Sequence, residues 1–183
     1  MKEEIPDHDL VRNFLNGDEP SFNKIINRYK HKIYWQARRM TGNHLDADEV
    51  VQEVLIVLYN KLKDFQFQSS LYTWIYRIVS TRSINFLRKR TLRKILSFDD
   101  QSEDLIISEP DIINDLEQRE EMKKIDKLLQ KLPVRQREIF ILRNYEELSY
   151  EEISQITGKS VGGLKANYFH ATNKMLELLK NEN

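Results

Sequence analysis

Between Phe65 and Phe98 the chain carries no acidic residue, yet it holds Arg77, Arg82, Arg88, Lys89, Arg90, Arg93 and Lys94. Aromatic side chains are interleaved with them: Phe65, Phe67, Tyr72, Trp74, Tyr76 and Phe86. Cations neutralise phosphates and flat rings stack on unpaired bases, so the combination suits single-stranded or melting nucleic acid better than plain duplex. Trp74 also lies at core spacing, and burial is an equal alternative for it. The Arg88-Lys89-Arg90 run favours phosphate contact, because unrelieved repulsion needs a reason.

A second polar set lies near the C-terminus. Ser149 can cap a helix while Glu152 reaches back to the cap's own N–H, with Leu148 and Ile153 placed as a hydrophobic staple. Gly158 stops that helix, since glycine enters the left-handed region without penalty. Ser160 is placed to cap another short helix bearing Lys165, Asn167, Tyr168 and His170. Gly162 and Gly163 permit close backbone approach, and the helix N-terminus can hold a phosphate through free N–H groups. A helix, a glycine turn and a second, polar helix form the pattern that places one helix in a DNA groove. The alternative is an ordinary helical hairpin in an all-α core.

A third set, Asp46, Asp48, Glu49, Gln52 and Glu53, clusters at helical spacing. No histidine falls in register with it, so a metal centre is unsupported and a solvated helix face or an acidic docking surface remains. The four histidines are scattered, with no HExxH pattern, no Gly-rich phosphate loop and no cysteine. Catalysis, metal and cofactor are therefore not expected.

These sets need helices to position them. Leu10, Val11, Phe14 and Leu15 suggest a first helix ending near Asn16-Gly17, and Asp18 can cap a second whose apolar residues run from Phe22 to Ala37. Thr41-Gly42-Asn43 breaks it. Asp46 is read as the cap of a third helix, with Glu49 at the box position and Leu45/Val50 as staple. Ser69-Ser70 precedes a fourth, in which Leu71, Trp74, Ile75 and Ile78 fall at i, i+3, i+4 and i+7. Helical spacing resumes with Ile125, Leu128, Leu129 and Leu132, and Pro133 opens a further helix.

The expected fold is all-α: two small helical domains, 1–98 and 123–183, joined by an acidic linker over 99–122. Formal net charge is +0 over 183 residues, but it divides as +6, −9 and +3 across those three stretches. A neutral total therefore does not exclude a polyanionic partner. No run approaches the ~20 apolar residues of a membrane span, and the N-terminus lacks the apolar core of a signal peptide, so the expected location is the cytoplasm.

Taken in order, these blocks resemble the sigma-70 family of bacterial sigma factors, specifically its small extracytoplasmic-function group. DADEVVQEVLIVLY at 46–59 is similar to that family's core-polymerase-binding helix, and LYTWIYRIVSTRSINFLRKR at 71–90 to its promoter-melting and −10-reading helix. LPVRQREIFILRNYEELSYEEISQITGKSVGGLKANYFHAT at 132–172 is similar to its −35-reading domain. The resemblance implies that Asp46, Asp48, Glu49, Gln52 and Glu53 face the clamp helices of the largest core subunit. It implies that Phe65, Gln66, Phe67, Gln68, Ser69 and Ser70 capture a flipped −10 base, with Phe65 or Phe67 stacking or anchoring the loop. Trp74, Arg77, Arg82, Asn85, Arg88 and Lys89 would hold the strand and the upstream duplex. Ser160, Gly162, Gly163, Lys165, Asn167, Tyr168 and His170 would meet the −35 element. Core RNA polymerase, promoter DNA and an anti-sigma factor are the implied partners of a chain that is monomeric when free. Thr81 stands where the family usually has asparagine, and Asn167, His170 and Thr172 where arginines are frequent. The linker reads either as a solvated tether or as a segment that threads polymerase channels or folds back on the basic surfaces. The rival without the family is a homodimeric DNA-binding regulator, which leaves the helices at 46–59 and 71–94 unexplained.

Overall fold

Glycine and side-chain caps set the helix boundaries in the computed structural model, which describes residues 5–96 and 124–182. The expected acidic linker lies outside the described residues. The N-terminal half comprises α1 (Asp7–Leu15), α2 (Glu19–Thr41), α3 (His44–Lys61), a single 3-10 turn (Leu62–Asp64) and α4 (Leu71–Leu96). The C-terminal half comprises α5 (helical over 124–130), α6 (Val134–Asn144), α7 (Tyr150–Thr157) and α8 (Val161–Glu182). Among the described residues all regular structure is helical, as expected.

The caps correct two expectations. Asn43, not Asp46, caps α3: its side chain accepts from the Asp46 N–H at 2.9 Å and donates to the Asp46 carboxylate at 2.7 Å. Asn is as good a cap as Asp, and Gly42, left-handed at φ 92°, ends α2 immediately before it, so the helix starts a turn earlier. Asp18 occupies the cap position of α2 but accepts from the Ser21 hydroxyl rather than from a backbone N–H. The box at Ser149/Glu152 and the left-handed Gly158 appear as read. The helix after them is not short: it runs 22 residues, because Leu164, Ala171 and Met175 continue its buried stripe.

One core is built from α1–α4, with Val11, Ile33, Ala37, Val50, Val54, Ile75 and Val79 fully buried. Each Val or Ile among them is worth roughly 1.5–3 kcal/mol on burial. The C-terminal half completes its packing only with help. Met40 of α2 and Ile84 of α4 join Leu128, Leu129, Leu132, Ile141 and Met175 in one cluster. Tyr76 of α4 joins Ile139, Leu142, Leu148, Ile153 and Leu164 in another. Helix α4 is thus buried on two faces, against the N-terminal core and against α7. The two halves meet along a closed seam.

Candidate nucleic-acid interface

The loop before α4 presents its polar atoms outward. Gln66 and Gln68 are exposed and hydrogen-bonded to each other at 3.1 Å, and Ser69 is half-buried. Ser70 is committed to structure, its hydroxyl capping α4 by accepting from the Thr73 N–H at 3.0 Å. The two phenylalanines separate. Phe65 is 6% exposed and anchors the loop in the core, whereas Phe67 is 40% exposed at φ 57°, its ring 4.9 Å from those of His8 and Phe65. Trp74 is half-buried, its ring 5.4 Å from Phe65, so it presents one edge only.

The cations of α4 are less alike than their sequence run suggests. Arg77 and Arg88 are exposed. Arg82 and Lys89 each lie 3.8 Å from Glu53, and Arg90 pairs with Asp46. The repulsion within Arg88-Lys89-Arg90 is therefore largely relieved by α3, which corrects the argument that it required phosphate. Asn85 is half-buried on the same helix.

The acidic face of α3 divides the same way. Asp46 and Glu53 serve α4, and Asp48 lies 3.1 Å from the His44 ring. Glu49 and Gln52 are exposed, and Leu45, Ile56 and Tyr59 lie exposed on the same helix at 48%, 62% and 47%. Exposed apolar side chains therefore stand beside one acid, Glu49, on this face of α3, with the Tyr59 ring packed against Phe14 and Phe22. The apolar members were missed from sequence, because one helical turn of Val, Leu and Ile does not say which of them face inward.

In the helix-turn-helix, Ser160 caps α8 by accepting from the Gly163 N–H at 3.3 Å. Ser160, Gly162, Lys165 and His170 are exposed, and Phe169, not singled out from sequence, is 62% exposed beside His170. Asn167 is half-buried and donates to the Gly163 carbonyl of its own helix at 2.8 Å. Tyr168 is half-buried and packs on its own domain. Its ring stacks on Phe140, and its hydroxyl donates to Asn144 at 3.0 Å. Position 168 falls one turn after the buried Leu164, on the stripe that faces α6.

The seam is held by buried polar groups, of which the sequence reading named only Tyr72 and Tyr76 and gave them another role. The Glu146 carboxylate, 7% exposed, accepts from the hydroxyls of both Tyr72 (3.2 Å) and Tyr76, with Arg39 at 3.8 Å. Burial pushes the Tyr72 phenol up to about 12, and burial with the Glu146 charge pushes Tyr76 far higher, so both remain donors. Arg137, 5% exposed, donates to the Met40 carbonyl at the end of α2 and to Gln130, whose amide in turn donates to the Arg39 carbonyl at 3.1 Å. Burial lowers its guanidinium to about 10. A Cβ on Gly42 would lie 2.5 Å from the Gln130 side chain, which would then have to move. The available signal was α4 itself: apolar or small residues on nearly every side of a helix imply two burying faces.

Residues 25–93 match the family model described as Sigma-70 region 2, and residues 122–175 match that described as Sigma-70, region 4. The chain is 30% identical to the ECF RNA polymerase sigma-E factor of Haemophilus influenzae over 178 residues, covering 93% of this chain and 94% of the relative. It is 32% identical to the RNA polymerase sigma-H factor of Pseudomonas aeruginosa, covering 90% of this chain and 89% of that one. Among solved structures, CnrH in complex with the cytosolic domain of CnrY shares the fold with a TM-score of 0.73 at 20% identity, covering 97% and 99% of the two chains. The sigma factor RpoE from Bartonella quintana, in complex with the anti-sigma factor NepR, gives 0.70 at 24% identity, covering 88% and 98%. An exposed acidic–apolar helix, a basic-aromatic helix and a helix-turn-helix in this order, with region 2 and region 4 matched over them, lead to one conclusion: this chain belongs to the sigma-70 family of RNA polymerase sigma factors, in its extracytoplasmic-function group.

Proposed function

We propose that the chain is a transcription initiation factor that binds core RNA polymerase, directs it to promoters with −35 and −10 elements, and helps to melt them. Nucleotide transfer belongs to the core enzyme, and the setting is the cytoplasm, where core enzyme and promoter DNA are found. The carrying observation is that one chain holds two separate polar reading helices, α4 and α8, beside an exposed acidic–apolar face on α3. In this reading Glu49, Gln52, Ile56 and Tyr59 meet the polymerase. Phe67, Gln66, Gln68 and Ser69 take the flipped −10 base, whose extrusion costs a few kcal/mol that stacking and hydrogen bonds offset. Arg77, Arg88 and the edge of Trp74 follow the strand. Lys165 and His170 meet the −35 duplex. An anti-sigma factor, a partner that the Bartonella relative's complex contains, is the natural regulator.

The seam must open for this work. Helix α7 packs on both α4 and α8, so the two reading helices stand at most about 20 Å apart, two interaxial spacings. Promoter elements about 25 base pairs apart at ~3.4 Å each lie ~85 Å apart. The closed chain can address one of them at a time. The two units separate when they engage polymerase, and the 99–122 segment is then the tether between them.

The test is run-off transcription on genomic fragments with purified core polymerase. Transcripts that depend on this chain are expected. Binding to duplex DNA without any association with core would overturn the reading in favour of a conventional regulator.

A further inference from the structure

The tip of the loop before α4 rests on a helix that lies outside the matched family region. Region 2 is matched over residues 25–93, whereas α1 spans Asp7–Leu15. The His8 ring on α1 meets the Phe67 ring edge-on, with centroids 4.9 Å apart and an interplanar angle of 65°. The hydrogen bonds of the loop do not reach so far. Gln68 donates to Gln66 at 3.1 Å, the Ser69 hydroxyl to the Ser70 carbonyl at 3.3 Å, and the Ser70 hydroxyl bonds Thr73 at 2.8 Å. Among the described residues, the side-chain hydrogen bonds of 66–70 thus stay within the loop and the first turn of α4. Yet Phe67 holds φ 57°, a left-handed backbone that a bulky residue keeps only where its surroundings impose it. Two rings meet Phe67 there: Phe65, anchored in the core, and His8, from outside the loop. Helix α1 is a firm base for the second contact. Leu10 and Val11 are buried, Asp7 accepts from Arg28 and Tyr29 of α2, and Arg28 also donates to the Ile5 carbonyl at 2.7 Å. His8 itself is exposed, so core packing does not require its ring.

We infer that His8 is a positioning residue for the −10 loop: it holds the left-handed turn at Phe67, and with it Gln66 and Gln68, in the arrangement that receives the extruded base. The inference rests on the reading of residues 66–69 as the base-capturing loop. His8 acts through the Phe67 ring and not through charge. A loop without that contact leaves the strained turn for part of the time, and apparent affinity falls with the fraction that stays competent. Helix α1, although it precedes the matched region, is then part of the device that holds an open −10 strand.

The test uses the full chain assembled with core polymerase and a labelled single strand carrying the −10 element of a promoter that this holoenzyme transcribes. Affinity is measured by anisotropy across a KCl series, on the intact strand and on strands with an abasic site at each −10 position in turn. His8→Ala should weaken binding to the intact strand about three- to tenfold. The slope of log K against log salt should stay parental, because no phosphate contact is lost. On the strand that lacks the captured base His8→Ala should cost nothing further, since both changes remove the same interaction. His8→Phe keeps a ring against Phe67 and should bind within about twofold of the parent. Core affinity and thermal midpoint should be unchanged in both variants, because residue 8 is exposed. Parental binding by His8→Ala overturns the inference. A flattened salt slope without rescue by phenylalanine also overturns it, by making His8 a direct phosphate contact. So does an equal loss of core affinity or a lowered midpoint, by making His8 a support for the whole domain. Phe67→Ala and the combined Gln66→Ala, Gln68→Ala variant isolate the underlying reading: if both bind the intact strand as the parent does, the loop does not take the base, and the base-capture reading itself fails.

Discussion

Replacing Tyr76 by phenylalanine removes one hydroxyl from the seam and leaves the ring in place. Tyr76 is fully buried, and its hydroxyl donates across the seam to the Glu146 carboxylate. After the change Glu146 keeps the Tyr72 hydroxyl at 3.2 Å and Arg39 at 3.8 Å, so the acid is weakened in partners but not orphaned. A hydrogen bond to a charged group contributes about 1.5–3 kcal/mol net. With two partners remaining, about 2 kcal/mol is a reasonable loss, or ~30-fold in the ratio of closed to open chain. The hydroxyl joins α4 to the C-terminal half, so this loss falls on closure rather than on the α1–α4 core. The chain has no cysteine, so single cysteines at the exposed Asn60 and Lys180 can be labelled without background. Energy transfer between the labels then reads the closed fraction directly. Tyr76→Phe should shift the distribution to longer distances and speed association with core polymerase, with helical content unchanged. A distance distribution identical to the parent would refute the seam as a polar latch.

Three further outcomes follow from the same contacts. Gly42→Ala must hold φ 92° with a side chain and displace Gln130, so it should cost about 1–2 kcal/mol or more from the backbone alone and open the seam, read as a lower thermal midpoint and a longer label distance. Glu49→Arg changes an exposed residue, so stability should stay within about 0.5 kcal/mol while co-elution with core polymerase is lost; full co-elution would remove α3 from the polymerase interface. Absorbance titration should show Tyr72 ionising near 12. Because its folded value lies above the ordinary 10, the stability it contributes is complete below pH 10 and is lost as pH rises towards 12, so closure should weaken over that interval.

Much of the architecture is legible in local patterns. The box at Ser149/Glu152, the stop at Gly158 and the cap at Ser160 are short-range events, decided by side chains within three residues of the backbone groups they satisfy. The α3 start was misread because two good caps, Asn43 and Asp46, lie three residues apart, and only the position of the preceding glycine break chooses between them. The candidate site was legible as residue types but not as exposure. Phe65 and Phe67 are chemically the same, yet one is core and the other lies on the surface against the His8 and Phe65 rings, at a point where the backbone turns left-handed. Tyr168 carries a polar tip like Asn167 and His170, but its phase on α8 sends it against Phe140.

The sequence by itself determined the helical periods, the capping box at Ser149/Glu152, the order of acidic, aromatic-basic and helix-turn-helix blocks, and hence the family. These depend on residue type at fixed spacing along one chain. Only the tertiary structure decided which acids are spent on α4 and which are left exposed, that Arg143 and Lys165 share one ring, and that Arg137, Gln130 and Glu146 close the two halves on each other. Those outcomes join residues up to 107 positions apart, as in Arg39 to Glu146. Contacts at that separation are set by which buried faces find each other, a property that no local spacing contains.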